Sequence, residues 1–158
     1  KRKCHGKVEI GMKITIGSDH GAVALKDEVK MVLKAYDGME VTDVGTFSAT
    51  SVDYPDIAEK VCADVTSGRA DLGIVLCGTG LGISIAANKI DGIRCALCHD
   101  VYSARKARQH NDANVLAMGG RVLGFGPAGE IVRAFVEEKF EGGRHARRVG
   151  KIMDLENN

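Results

Sequence analysis

Ile74-Val75-Leu76-Cys77-Gly78-Thr79-Gly80-Leu81-Gly82-Ile83-Ser84 is the stretch on which the reading of this chain turns. An apolar run ends in a cysteine, and three alternating glycines lead into a small-residue helical stretch. Strand, tight glycine turn and helix start is the arrangement that offers backbone N–H groups to an anion. It also places Cys77 where a helix N-terminus and a ring of amide dipoles favour negative charge. A loop that only cradles phosphate has no need of a thiol at its mouth.

Outward from this loop, strands and helices alternate. Lys13–Ile16 reads as a strand and Gly17-Ser18-Asp19-His20-Gly21 as a turn. A helix follows, with Leu25, Val29, Val32, Leu33 and Tyr36 at helical spacing. Met39–Val44 is a second strand, and Tyr54-Pro55 opens a helix marked by Ile57, Val61 and Val65. Leu72–Cys77, Ile93–Cys98 and Val115–Met118 complete five strands, separated by helices over Ile83–Asn88 and Val101–His110. Pro127 opens a helix with Ile131, Val132, Phe135 and Val136 inward, and Gly142-Gly143 precedes a basic tail that reads as a last helix through Met153. The alternation predicts an α/β fold: a doubly wound, mainly parallel five-stranded, Rossmann-like sheet with helices on both faces, in a single domain over residues 12–158. Residues 1–11 read as a flexible N-terminal extension, because the regular pattern starts only at Met12. In such sheets ligands bind at the carboxyl ends of the strands, so the Asp19-His20, Cys77–Gly82 and Gly119–Arg121 turns are expected on one edge.

At 158 residues, the chain is long enough to bury a core without disulfides or a structural metal. Lysine plus arginine (22) nearly balances aspartate plus glutamate (21), which argues against nucleic acid or a membrane surface as partner. No apolar run approaches the roughly 18–20 residues of a membrane span, and Lys1-Arg2-Lys3 is not followed by the apolar stretch of a secretory signal. Five cysteines, an odd number with members inside apolar runs, read as reduced thiols of a cytoplasmic protein.

Several groups carry chemistry, each beside a plainer reading. Cys77 with Thr79 and the amides of Gly78, Gly80, Leu81 and Gly82 suits a base or nucleophile next to a hole for a developing oxyanion. A buried cysteine before a packing turn fits the same letters equally well. Asp100, 22 positions after Gly78, raises a nucleotide-binding module as an alternative, but the glycines follow G-x-G-x-G rather than G-x-G-x-x-G. His110-Asn111-Asp112 suits a helix C-cap and a general acid/base at once. Asp19 suits a cap of the following helix, leaving His20 to donate to a phosphate or sugar oxygen. Arg144 and Arg148, four apart, share one helical face and suit a phosphate, as does Arg121 at a strand end. Cys95-Ala96-Leu97-Cys98 matches a redox or half-zinc pattern, but residues three apart on a strand face opposite ways, so two core thiols are expected. No set of residues has metal-ligand spacing.

Gly17-Ser18-Asp19-His20, Asp53-Tyr54-Pro55, Cys77–Lys89, Arg108-Gln109-His110-Asn111-Asp112-Ala113-Asn114 and Gly142-Gly143-Arg144-His145 together resemble the type B ribose-5-phosphate isomerases, in the family that includes the galactose-6-phosphate isomerase subunits. The resemblance runs from about Met12 to Leu155. It implies interconversion of D-ribose 5-phosphate and D-ribulose 5-phosphate, without metal or cofactor. Cys77 would remove the proton beside the sugar carbonyl; a sister branch uses a glutamate where this chain has Ser84. His110 would open the furanose ring, and Thr79 with the Gly78–Gly82 amides would hold the enediolate. Asp19, His20 and Asn111 would bind sugar oxygens or phosphate, and Arg121, Arg144 and Arg148 phosphate. It also implies a homodimer or a dimer of dimers with shared sites, where His110, Asn111 and Arg121 of one chain complete the Cys77 site of its partner. Isomerisation of allose 6-phosphate, galactose 6-phosphate or a tetrose phosphate is the near alternative, and a thiol-redox protein using Cys95 and Cys98 a distant one.

Overall fold

The computed structural model describes residues 11–157. The expected extension falls almost entirely on residues 1–10, outside the described residues, as does Cys4. Five strands, β1 (Lys13–Ser18), β2 (Glu40–Asp43), β3 (Leu72–Cys77), β4 (Cys95–Leu97) and β5 (Val115–Gly119), form one parallel sheet in the order β2-β1-β3-β5-β4. Helices α1 (Val23–Leu33), α2 (Tyr54–Thr66), α3 (Leu81–Ala87), α4 (Val101–Asn111), α5 (Phe125–Glu137) and α6 (Arg144–Asp154) fill the intervals.

The central strands are apolar on both sides because helices cover both faces. Ile14, Ile16, Leu72, Ile74, Leu76, Leu116 and Met118 meet α1, α4 and α5 through Leu25, Val29, Ala104, Ile131 and Phe135. Val75, Cys77, Val115 and Ala117 point the other way, to Ile57, Val61 and Ile83 of α2 and α3. Burying side chains of this size contributes about 1.5–3 kcal/mol each. Cys77 thus stands in the last position of a strand buried along its whole length. Since the chain winds from β1 to β2 on one side and continues at β3 on the other, the switch point lies between β1 and β3. Asp19 and Cys77 flank it.

Element ends depart from expectation where packing decides them. β4 pairs only through Cys95–Leu97 because it is an edge strand with one neighbour. α5 starts at Phe125, so Pro127 occupies its third position, where the missing N–H is still not required. α4 stops at Asp112, whose left-handed backbone (φ 46°) ends the helix as the Asn/Asp pair suggested.

Candidate active site

β1 delivers Asp19 to the sheet's carboxyl edge. Its N–H donates to the Leu76 carbonyl (3.0 Å), tying the turn to β3, and its buried carboxylate accepts from the Gly21 N–H (2.8 Å). It does not cap α1: Ala22 holds the N-cap position and makes no side-chain bond, because Asp19 is spent on the turn one step earlier. His20 Nδ1 accepts the Val52 N–H (3.3 Å), so its proton sits on Nε2 and that nitrogen is a donor. The bond also anchors the loop before α2 beside the site.

In the glycine loop, Gly80 adopts a left-handed backbone (φ 78°) as the N-cap of α3. Its N–H donates to Cys77 Sγ (3.1 Å), a contact suited to a sulfur carrying negative charge. The Leu81 N–H donates to Thr79 Oγ1 (3.2 Å), which leaves the Thr79 hydroxyl proton available to an acceptor outside. Two of the amides expected to face an oxyanion are therefore engaged by the loop's own side chains. Gly119 packs so closely that a Cβ there would lie 2.6 Å from the Thr79 carbonyl. The β5 and β3 turns are further joined by Gly120 N–H to Cys77 O (2.8 Å) and Arg121 N–H to Gly78 O (2.9 Å). The exposed Arg121 guanidinium lies over Gly78, with Nη1 3.3 Å from where a Cβ on that residue would be. Arg121 therefore lies against the Cys77 loop of its own chain, and not on the edge that holds His110 and Asn111, with which the resemblance groups it.

His110, Asn111, Arg144 and Arg148 stand elsewhere. α4 leaves the carboxyl end of β4 and returns to the amino end of β5, where Arg94, just before β4, donates to the carbonyls of Asn111 (3.2 Å) and Asp112 (2.8 Å). Cys77 pairs in register with Gly119 at the far end of β5. Four strand steps at ~3.3 Å separate these edges by about 13 Å. α6 packs on α4, stacking His145 on His110 with ring centres 4.1 Å apart and planes 8° from parallel. Glu141 Oε2 lies 3.6 Å from Nε2 of each ring. Burial, then the neighbouring His110 and Arg144, hold the His145 imidazole below its ordinary pKa. Arg144 and Arg148 are exposed beside it. The expected site residues of one chain therefore fall on opposite edges: Asp19, His20, the Cys77–Gly82 loop and Arg121 on one; His110, Asn111, Arg144 and Arg148 on the other.

The remaining thiols fit the plain reading. Cys95 and Cys98 are free and belong to clusters on opposite faces of the sheet, and burial raises both thiol pKa values, that of Cys98 to about 11. Asp100 caps α4, accepting from the Ser103 N–H (2.7 Å). Sequence reasoning missed Glu141 as a partner of His110 and the ring of Tyr54, which covers Gly82 closely enough that a Cβ would lie 2.6 Å from Cζ. Tyr54 and His145 stand within quoted motifs, which is the one signal they gave. A groove of about 590 Å³ lies away from Cys77, beside β4, lined by Arg94, Cys95, Asn111, Ile152 and Leu155.

A parallel α/β sheet with a cysteine-tipped glycine loop at its switch point defines a class, and the comparisons agree with it. The profile of the Ribose/Galactose Isomerase family matches residues 14–152, so the chain belongs to that family. Ribose-5-phosphate isomerase B of Clostridium thermocellum superposes with a TM-score of 0.90 at 57% identity, covering 92% of this chain and 98% of that one. Ribose-5-phosphate isomerase B of Escherichia coli (strain K12) is 49% identical over 144 residues, 91% of this chain and 96% of the relative. D-erythrulose-4-phosphate isomerase of Pectobacterium atrosepticum is 43% identical over 143 residues, 89% of this chain and 93% of the relative. Within its family the chain thus stands with sugar-phosphate isomerases of the type B kind.

Proposed function

We propose that this chain is an aldose–ketose isomerase interconverting D-ribose 5-phosphate and D-ribulose 5-phosphate. The observation that carries the reading is the convergence of Asp19, His20, Cys77, Thr79 and Arg121 from three strand ends on the β1/β3 switch point. The family's pentose-phosphate members supply the substrate; the tetrose-phosphate relative makes a four-carbon substrate the second one to assay.

The chemistry needs a ring opener, a base, an oxyanion partner and a phosphate anchor. His110 moves a proton between the ring oxygen and the anomeric hydroxyl, freeing the C1 carbonyl. The Cys77 thiolate takes the C2 proton, and the C–H electron pair becomes the C1=C2 bond of an enediolate with charge on O1. The Thr79 hydroxyl and the loop amides not already bonded stabilise that charge. A proton passes from O2 to O1, the thiol returns its own to C1, and O2 is left as the ketone. Arginines hold the phosphate, whose binding energy sets C1 and C2 against the sulfur.

Because His110 and Cys77 occupy opposite edges of one chain, this reading requires a second copy. The working unit is a homodimer, or a dimer of dimers, in which His110, Asn111, Arg144 and Arg148 of one chain meet Cys77 and Arg121 of the other. We place it in the cytoplasm on its free thiols; among the described residues no helix is long and apolar enough to cross a membrane. The test is conversion of ribose 5-phosphate by wild type and Cys77→Ala, with iodoacetamide labelling alongside. Activity lost in the variant, and substrate shielding Cys77 from alkylation, support the reading. Full activity in Cys77→Ala contradicts it.

A further inference from the structure

His110, the ring opener of the reading above, stands with Glu141 and His145, which that chemistry does not use, and the three bring ligand atoms within 4.8 Å of one another. Glu141 Oε2 is 3.6 Å from Nε2 of both rings, too long for a hydrogen bond. That spacing is close to the edge of a tetrahedron around an ion with bonds of about 2.0–2.1 Å, for which two ligands stand about 3.4 Å apart. From this juxtaposition we infer that His110, Glu141 and His145 form a binding site for a divalent transition-metal ion of the zinc kind, and that the bound ion holds His110 away from substrate.

Two imidazoles and one carboxylate suit a borderline metal such as zinc, whereas magnesium and calcium take oxygen ligands. In the single chain a fourth position can be reached from outside, since His110 is one-third exposed and Glu141 about half. The rings now lie parallel, so ligation turns one of them; His110, on the last turn of α4 and the more exposed of the two, has the freedom. Arg144, next in sequence to His145, and Arg148 one turn on oppose a cation here, so the affinity rests on the imidazole nitrogens. The inhibitory effect rests on the ring-opening role of His110; the metal site does not.

Cobalt(II), used alone as a spectroscopic stand-in for zinc, tests the site in the intact protein. The expected result is one ion per chain, with visible bands but no thiolate charge-transfer band. Cys77→Ser retains it, and Glu141→Gln and His145→Asn each weaken it by at least about 10–100-fold, the loss typical of even an outer-shell partner. Zinc should inhibit wild-type isomerisation reversibly on chelation, and the Glu141→Gln enzyme only at correspondingly higher concentration. A thiolate band lost in Cys77→Ser, or binding indifferent to both variants, overturns the site. Binding through the three residues with undiminished activity leaves the site standing and overturns the role of His110.

Discussion

Gly80 gives its backbone N–H to Cys77 Sγ across 3.1 Å, so the residue that turns the chain into α3 also holds the thiol. Its φ of 78° belongs to the region that side-chain-bearing residues avoid, and a Cβ would lie 2.7 Å from Leu97 Cδ1 and 2.8 Å from the Met118 carbonyl carbon. Gly80→Ala is therefore expected to lose about 2 kcal/mol or more of stability, from backbone strain and overpacking together. Turnover should fall by more than the folded fraction does, since the thiol moves with the turn. Urea denaturation beside a rate measured on the folded protein checks both.

Thr79 accepts from the Leu81 N–H and has its own hydroxyl proton to give. Thr79→Val removes that donor with little change of volume. If the hydroxyl meets the enediolate oxygen, kcat falls about 10²–10³-fold, as for other single oxyanion donors, with KM little altered. A change in KM alone would assign Thr79 to ground-state binding instead.

Lys26 is fully buried, with Nζ bonded to Asp43 Oδ1 (2.9 Å) and the Thr46 carbonyl (2.5 Å) and lying 4.3 Å from the centre of the Phe47 ring. It pins the loop that follows β2. Lys26→Met should cost about 3–5 kcal/mol, as removal of one partner from a buried pair does. Lys30→Met, at the more exposed bond to the same carboxylate, should cost about 1 kcal/mol or less. Thermal unfolding of the two variants ranks them.

The same carboxylate sets an acid limb. Burial works against ionised Asp43, but hydrogen bonds from Lys26, Lys30 and the Gly45 N–H outweigh it and hold the group below its ordinary pKa. With the folded value below the unfolded one, this stabilisation is complete above the unfolded carboxylate pKa of about 3.9 and is lost as pH falls through the folded value. Urea midpoints measured from pH about 5 downward should therefore drop, and drop less steeply in Asp43→Asn.

The sheet was legible because buried parallel strands write continuous apolar runs, such as Leu72–Cys77, and covering helices write stripes such as Ile131, Val132, Phe135 and Val136. What failed was local competition: Asp19 had a turn to close before it could cap α1, and β4, with a single neighbour, stayed three residues long. Glycine spacing and a terminal thiol marked the Cys77 loop. Nothing in the linear order tells which sheet edge a helix end reaches, so the separation of His110 from Cys77 was visible only through β4–α4–β5 winding. The His110–Glu141–His145 group was hidden for the same reason, since α6 must pack on α4 before those residues meet.

The claim that one chain holds two half-sites is tested most directly by mixing Cys77→Ala with His110→Ala, each inactive alone, and allowing subunits to exchange. In a mixed dimer with sites built across the pair, one site carries both substitutions and the other carries neither. Random exchange of equal amounts should then restore about one quarter of wild-type activity. No recovery, with mixed dimers demonstrated to form, would mean that Cys77 and His110 serve the same chain's site and would contradict the account.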